Sequence, residues 1–250
     1  MTTETQLSDA RFPGPVLVLE QVEQRYGRLS PALAGLDLSV ARGEFLVVSG
    51  QGGSGKSVLL RLLAGLETPA GGRIRVAGED LAGMRPRVLA HLRRSMGILP
   101  QGHCLLEGRS VLDNVAMAAW VAGAGLDEGL QRAKAALALV GVDTERCAAL
   151  SCGQLPWGQR HCVALARALV NRPALLLLDD LLAPLDDACA ARVLQVVDQF
   201  CAAGVTVIAT ARTPNDTLAP PAGAGVPGTP ASTWPARARV LRLRDGRLDA

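Results

Sequence analysis

Apolar and polar residues alternate, run together or recur at helical spacing in a clear order along this chain. Leu36-Asp-Leu-Ser-Val alternates cleanly, as a half-buried strand does, and Val16 to Val22 alternates more weakly. Glu44-Phe-Leu-Val-Val-Ser is a short apolar run that ends in glycines, the pattern of a buried strand. Arg73-Ile-Arg-Val-Ala-Gly alternates again before a glycine turn. Residues 110–141 read as helix, with Ser110 as cap and helical apolar spacing from Leu126 to Val140. Leu155–Val170 is a second helix, stopped by Pro173, and Ala188–Ala203 is a third, stopped by Gly204. Ala174-Leu-Leu-Leu-Leu-Asp predicts a fully buried strand and Val205-Thr-Val-Ile-Ala-Thr the next one. Arg239 to Leu248 reads as a closing hairpin with an Asp-Gly turn. Strands that alternate with helices predict an α/β fold with a mainly parallel sheet and helices on its faces.

Composition sharpens this picture. The 250 residues suffice for one large domain, and 49% are apolar, so a core is available. With three Phe, three Trp and one Tyr, that core must be Leu, Val, Ile and Ala. Residues 1–14 are polar and carry Pro13 and Gly14, which predicts a loose tail ahead of a domain spanning 15–250. Residues 213–236 are dominated by Pro, Gly and Ala and predict a disordered insertion without packed structure. Net charge is +3, from 26 basic and 23 acidic residues, too balanced to argue for nucleic acid. There is no apolar run of about 18 residues to span a bilayer, and the first residues lack a signal peptide's basic and apolar regions. Six cysteines without C-x-x-C spacing read as reduced thiols. His103-Cys104 and His161-Cys162 are adjacent pairs whose side chains point apart, so they argue against a metal site.

The first chemical motif is Gly50-Gln51-Gly52-Gly53-Ser54-Gly55-Lys56-Ser57, which fits G-x-x-x-x-G-K-[ST] at every fixed position. A loop that wraps phosphates turns its backbone N–H groups inward, and glycines permit the dihedrals that this needs. Lys56 supplies a positive charge to the β- and γ-phosphates, and Ser57 offers a hydroxyl to Mg²⁺. The helix that begins here points its positive end at the anion. The second motif is the apolar strand that ends in Asp179-Asp180, at the edge where α/β sheets place their ligands. Asp179 is placed to hold Mg²⁺ through water, and Asp180 to orient an attacking water.

With Tyr26 near the start, the phosphate loop, Gln101, a signature region, the Asp179 strand, Pro184-Leu185-Asp186 and a final strand in that order, the chain resembles ABC transporter ATP-binding proteins from about residue 16 to 212 and again in the last hairpin. Within them it is most similar to the cell-division ATP-binding proteins of the FtsE kind. The stretches that carry this are Leu92-Arg-Arg-Ser-Met-Gly-Ile, Arg109-Ser-Val-Leu-Asp-Asn-Val-Ala, Val170-Asn-Arg-Pro-Ala, Leu185-Asp-Asp-Ala and Gly204-Val-Thr-Val. The lipoprotein-release and macrolide-export ATPases are near relatives. The resemblance implies a P-loop NTPase fold with an antiparallel β subdomain and a helical subdomain at about 102–160. It implies ATP and Mg²⁺ as ligands, with Tyr26 stacked on adenine and Gln101 bridging the Mg²⁺ site and a membrane subunit. It also implies a head-to-tail homodimer contacted by Asp186, in which each ATP lies between one copy's phosphate loop and the other's signature. The further implied partner is a polytopic, FtsX-like membrane subunit, at the cytoplasmic face of the inner membrane.

Three elements depart from the family pattern. Two segments compete for the signature Leu-Ser-Gly-Gly-Gln: Leu150-Ser151-Cys152-Gly153-Gln154 matches by type, whereas Leu155-Pro156-Trp157-Gly158-Gln159 matches without a gap. Ser151, or else Gly158 and Gln159, would then meet the partner copy's nucleotide. Asp180 stands where the family has Glu, one methylene longer, and a misplaced base loses much of its effect. Ala211-Arg212 stands where the family has His-Asp. The expectation is that ATP binding persists while hydrolysis is slow or lost, which leaves two readings: a working ATPase or a nucleotide-binding regulatory module.

Overall fold

A computed structural model describes residues 14–27, 31–183, 185–212 and 234–249. The structure has two sheets. β1 (Leu17–Gln24), β2 (Leu33–Val40), β4 (Gly71–Val76) and β5 (Glu79–Asp80) form an antiparallel sheet in the order β2-β1-β4-β5. β3 (Phe45–Ser49), β6 (Met96–Leu99), β7 (Leu175–Leu178), β8 (Thr206–Ala211), β9 (Arg239–Arg244) and β10 (Arg247–Asp249) form the second sheet, in the order β10-β9-β3-β8-β7-β6. All its neighbours run parallel except the β9–β10 hairpin. The hairpin turns at Asp245 and Gly246, both at positive φ, as an Asp-Gly turn of this kind requires.

Both faces of the parallel sheet are covered, which is why β3 and β7 are apolar throughout. Phe45, Val47, Leu176 and Leu178 point into one core with α3 (Val111–Val121), α4 (Leu126–Leu139), α6 (Trp157–Leu169) and α7 (Asp187–Ala202). Leu46, Val48, Leu175 and Leu177 point into the other, with α1 (Lys56–Leu63), Leu92 of α2 (Pro86–Arg94) and the antiparallel sheet. α3, α4 and the short α5 (Thr144–Cys147) make up the helical subdomain.

The structure changes several expectations. The single helix predicted over 110–141 is two, α3 and α4, because Gly123 at φ 100° turns the chain between them. Ser110 does cap α3, accepting from Asp113 N at 3.0 Å. α2 and β6 had no counterpart in the pattern analysis. Gly97 in β6 shows how tightly that strand packs, since a Cβ there would lie 2.3 Å from the Ala168 carbonyl oxygen. The expected tail at 1–14 and insertion at 213–236 lie outside the described residues except at their ends. At the second of these, Trp234, inside the expected insertion, is buried and meets Phe45 edge-on at 6.2 Å. A buried Trp truncated to Ala costs about 3 kcal/mol or more. Trp234→Ala should therefore lower the unfolding free energy by about 3 kcal/mol in urea titrations; an unchanged midpoint would show the ring to be dispensable.

Candidate nucleotide-binding site

The phosphate loop connects β3 to α1. Its dihedrals and contacts demand glycine at two points. Gly50 has no room for a Cβ, which would lie 2.3 Å from the Leu243 carbonyl oxygen and 2.7 Å from Ser54 Oγ. Gly55, the N-cap of α1, sits at φ 105°, and a Cβ there would meet the Ala32 carbonyl oxygen at 2.3 Å. Gln51, Gly52 and Gly53 are exposed, with Ser54 buried beneath them. Lys56 folds back along the loop and donates from Nζ to the carbonyls of Gly50 (2.6 Å) and Gln51 (2.9 Å), with Ser54 Oγ at 3.4 Å. Ser57 follows in the first turn of α1.

The loop is tied to the ends of two neighbouring strands. Ser49 pairs with Ala211 in the β3–β8 register, and Gly50 N donates to the Ala211 carbonyl at 3.1 Å. Thr210, buried at the end of β8, donates its hydroxyl to Asp179 Oδ1 at 2.7 Å and accepts from Asp180 N at 2.8 Å. Asp179 is buried, and its own N–H donates to the Leu99 carbonyl at 2.8 Å. Asp180 lies at φ 53°, a left-handed conformation that Asp tolerates better than most residues. Arg212 reaches back across the strand ends, with Nε 3.9 Å from Asp180 Oδ1.

A cleft of about 220 Å³ gathers Gln101, His103, Trp157, Asp179, Asp180 and Arg212. The loop bearing Gln101 has three successive residues at positive φ: Gly102, His103 and Cys104. Such backbone persists only where its surroundings over-determine it, and helix α6 does so here. Arg167 donates to the carbonyls of His103 and Cys104, each at 2.7 Å. His161 Nε2 lies 2.8 Å from the Leu181 carbonyl, which can only accept, so that nitrogen carries the proton. His161 Nδ1 then accepts from His103 Nε2 at 3.1 Å. Trp157 lies against the His103 ring, centroids 4.4 Å apart.

Burial, and secondarily His103, pushes the His161 imidazole down to about 4 from 6.5; the Leu181 carbonyl opposes this. Burial also lowers His103, helped by Arg160 and Arg167. Both rings are held neutral. Burial likewise raises the Cys162 thiol to about 11 and lifts Cys152 and Cys201. All six are free thiols.

The other sequence candidates fall elsewhere. Tyr26 is 42% exposed, and its hydroxyl is bonded to the Glu67 carboxylate and accepts from Arg61 Nη2 at 3.2 Å, which ties the ring to α1. Of the two signature segments, 155–159 opens a long helix: Pro156 caps α6, and Trp157, Gly158 and Gln159 form its first turn. Ser151 is spent on local structure. It caps a single turn over Cys152–Gln154, donates its hydroxyl to the Glu107 carbonyl, and its N–H donates to Gln154 Oε1 at 3.0 Å. The Ser151 hydroxyl thus bonds both the Glu107 carbonyl and the Gly153 N–H. Asp186 caps α7, accepting from Cys189 N at 2.8 Å. Thr210 was missed by the sequence reading; its one signal is a polar residue closing an otherwise apolar strand.

A family profile described as ABC transporter matches residues 33–183. The chain is 38% identical over 190 residues to the cell division ATP-binding protein FtsE of Escherichia coli (strain K12), covering 76% of this chain and 84% of that one. The chain belongs to the ABC transporter family. The lipoprotein-releasing system ATP-binding protein LolD of Chromohalobacter salexigens is 40% identical over 68% of this chain and 71% of its own. Among solved structures, the dimeric bacterial ABC transporter cassette MJ0796 superposes with a TM-score of 0.82 at 26% identity, covering 94% of this chain and 97% of that one. The same cassette as a post-hydrolysis dimer bound to ADP and Pi gives 0.81 at 25% identity, with the same coverage. The fold expected from sequence, a P-loop ABC domain with parallel core sheet, antiparallel β subdomain and helical subdomain, is the fold of this cassette family.

The histidine pair yields a pH dependence of stability. His161 binds a proton near pH 6.5 when unfolded and only near 4 when folded, so the unfolded chain holds more protons between these values. Its contribution is complete above about pH 6.5 and drains away as pH falls towards 4. Urea unfolding from about pH 7 down to pH 4 should show wild type losing about 3 kcal/mol more than His161→Gln, whose amide can still donate to the Leu181 carbonyl and does not titrate. Parallel slopes for the two proteins would refute this.

Proposed function

We propose that this chain is the ATP-binding subunit of an ABC-type membrane complex, that it binds Mg-ATP at residues 50–57, and that it hydrolyses ATP slowly or not at all. The observation that carries the reading is the phosphate loop: its amides, Lys56 and the α1 N-terminus converge beside a buried Asp179 held by Thr210. Ser57 and Asp179 suit Mg²⁺, a hard cation that takes oxygen ligands. Among the described residues there is no group of three or more His, Cys, Asp or Glu that could hold a metal. That suits an ion which completes its shell with nucleotide phosphates and water and neutralises their charge. Gln101 faces the same cleft and is its third candidate oxygen ligand.

Slow hydrolysis is supported by the state of the three altered elements. Asp180 is one methylene shorter than the family's Glu and lies 3.9 Å from the Arg212 guanidinium. Ala211 has no side-chain donor for a phosphate. Pro156 has no N–H to offer at the head of α6, and Trp157 places an indole, 57% exposed, where close backbone approach is needed. Single general acid–base losses run to about 10²–10⁴-fold.

The dimeric cassette MJ0796 supports a homodimer. In this reading the dimer is head-to-tail, with Gly158 and Gln159 towards the partner copy's nucleotide and Tyr26 against the adenine of the chain's own. No described helix is long and apolar enough to cross a membrane. Likeness to FtsE and to the ABC transporter family supports a place on the cytoplasmic face of the inner membrane, docked to a polytopic subunit. Likeness to FtsE supports an FtsX-like partner and a role in cell division. Likeness to LolD at a similar level supports lipoprotein release as the second reading. Co-purification with the membrane partner decides between them.

One preparation tests the core claim. Calorimetry should show Mg-ATP binding below millimolar nucleotide, lost by tenfold or more (about 1.4 kcal/mol) in Lys56→Ala. Phosphate release from the same sample should fall short of a working cassette's by about 10²-fold or more. A folded chain that ignores millimolar Mg-ATP overturns the binding claim, and ordinary turnover overturns the claim of slow hydrolysis.

A further inference from the structure

Arg212 has no role in the proposal beyond its pairing with Asp180, yet it is closely placed. It follows Ala211, whose carbonyl accepts from Gly50 N at 3.1 Å and which stands opposite Ser49 in the sheet register. The Arg212 main chain is therefore rooted one residue from the first glycine of the phosphate loop. Its guanidinium turns into the cleft shared by Gln101, Asp179 and Asp180. There its Nε is 3.9 Å from Asp180 Oδ1, in a pair whose side chains are 63% and 29% exposed.

A pair so long and so exposed to water holds weakly. An anion of higher charge that enters the cleft will take the guanidinium from it. The guanidinium is also the group best shaped for the purpose, since its planar fork meets two phosphate oxygens at once. The perch that Arg212 leaves is itself fixed. Asp180 has a left-handed backbone, and its N–H is bonded to the buried Thr210 hydroxyl. The loop amides cradle the α- and β-phosphates, and Lys56 reaches the β- and γ-phosphates. The outer oxygens of the γ-phosphate are left to the ends of β7 and β8, beside Gly50, where Arg212 lies.

We infer that Arg212 distinguishes ATP from ADP in this chain: it rests on Asp180 and transfers to the terminal phosphate when a triphosphate enters. This makes it a specificity-determining residue, and Asp180 its positioning partner. The inference rests on the reading that residues 50–57 bind Mg-ATP.

The test measures dissociation constants of Mg-ATP and Mg-ADP for the full chain by calorimetry, with thermal melts on each sample. Arg212→Ala should weaken Mg-ATP about tenfold or more while Mg-ADP stays within about twofold. Arg212→Lys should recover part of the loss, because it keeps the charge without the fork. Arg212→Gln repeats the measurement should the alanine variant melt early. Unchanged ATP affinity in a folded variant, or an equal loss for both nucleotides, overturns the inference. Wild type that binds neither nucleotide overturns instead the reading on which it rests.

Discussion

The polar atoms of the site hang from the carboxyl ends of three adjacent parallel strands, β3, β8 and β7. These strands are apolar on both faces because helices or the antiparallel sheet cover each face. A strand of that kind can place polar groups only where it stops. β3 stops at the phosphate loop, β8 at Thr210-Ala211 and β7 at Asp179-Asp180. The backbone bond from Gly50 to Ala211 and the hydroxyl of Thr210 stitch the three ends together. Thr210 Oγ1 is the most economical part of this arrangement. With a residue exposure of 1%, it sets the Asp179 carboxylate with its proton and the Asp180 amide with its lone pair. The distance from Lys56 to the carboxylates is thus inherited from sheet register rather than from the loops.

The opposite wall of the cleft is built on a different principle. The Gln101 loop carries two non-glycine residues in the left-handed region, each costing of the order of 1–3 kcal/mol, and it holds that shape through contacts with α6. Arg167, His161 and Trp157 all lie on that helix, and all reach the same short loop. A displacement of the α6 head therefore pulls on the loop beside Gln101, and the reverse holds as well. The head of α6 and the Gln101 loop are in this way joined as one packed unit. Trp157 is part of that contact, its ring 4.4 Å from the His103 ring centroid to centroid.

Local signals made the phosphate loop and the buried strands legible. The G-x-x-x-x-G-K-[ST] spacing, an apolar run before it and a helix after it are all contained within a short stretch of chain. The Asp179 strand could be read for the same reason. What needed the fold was contact between distant residues. His103 and His161 are 58 positions apart and look unrelated until α6 lies under the Gln101 loop. Trp234 sits at the end of a Pro- and Gly-rich stretch whose composition says nothing of Phe45. The signature ambiguity was the reverse problem: two segments fit one pattern by different criteria. In the fold they differ plainly: 155–159 opens a long helix, whereas Ser151 caps a single short turn and donates its hydroxyl to the Glu107 carbonyl.

The change from Glu to Asp at position 180 is commonly counted as a loss, since a shorter arm brings a base up short. The geometry gives the same change a second consequence. At φ 53° the short side chain, with its amide pinned by Thr210, keeps the carboxylate close to the strand end. That is where a guanidinium rooted beside Gly50 can meet it. A longer acid reaching towards an attacking water would leave Arg212 without its perch, and a histidine in place of Ala211 would compete for the same space. The altered residues at 180, 211 and 212 are therefore better understood as one exchange than as three independent defects. On the proposed reading, the groups the family uses to cleave a phosphate are exchanged at these positions for a cation that reads it.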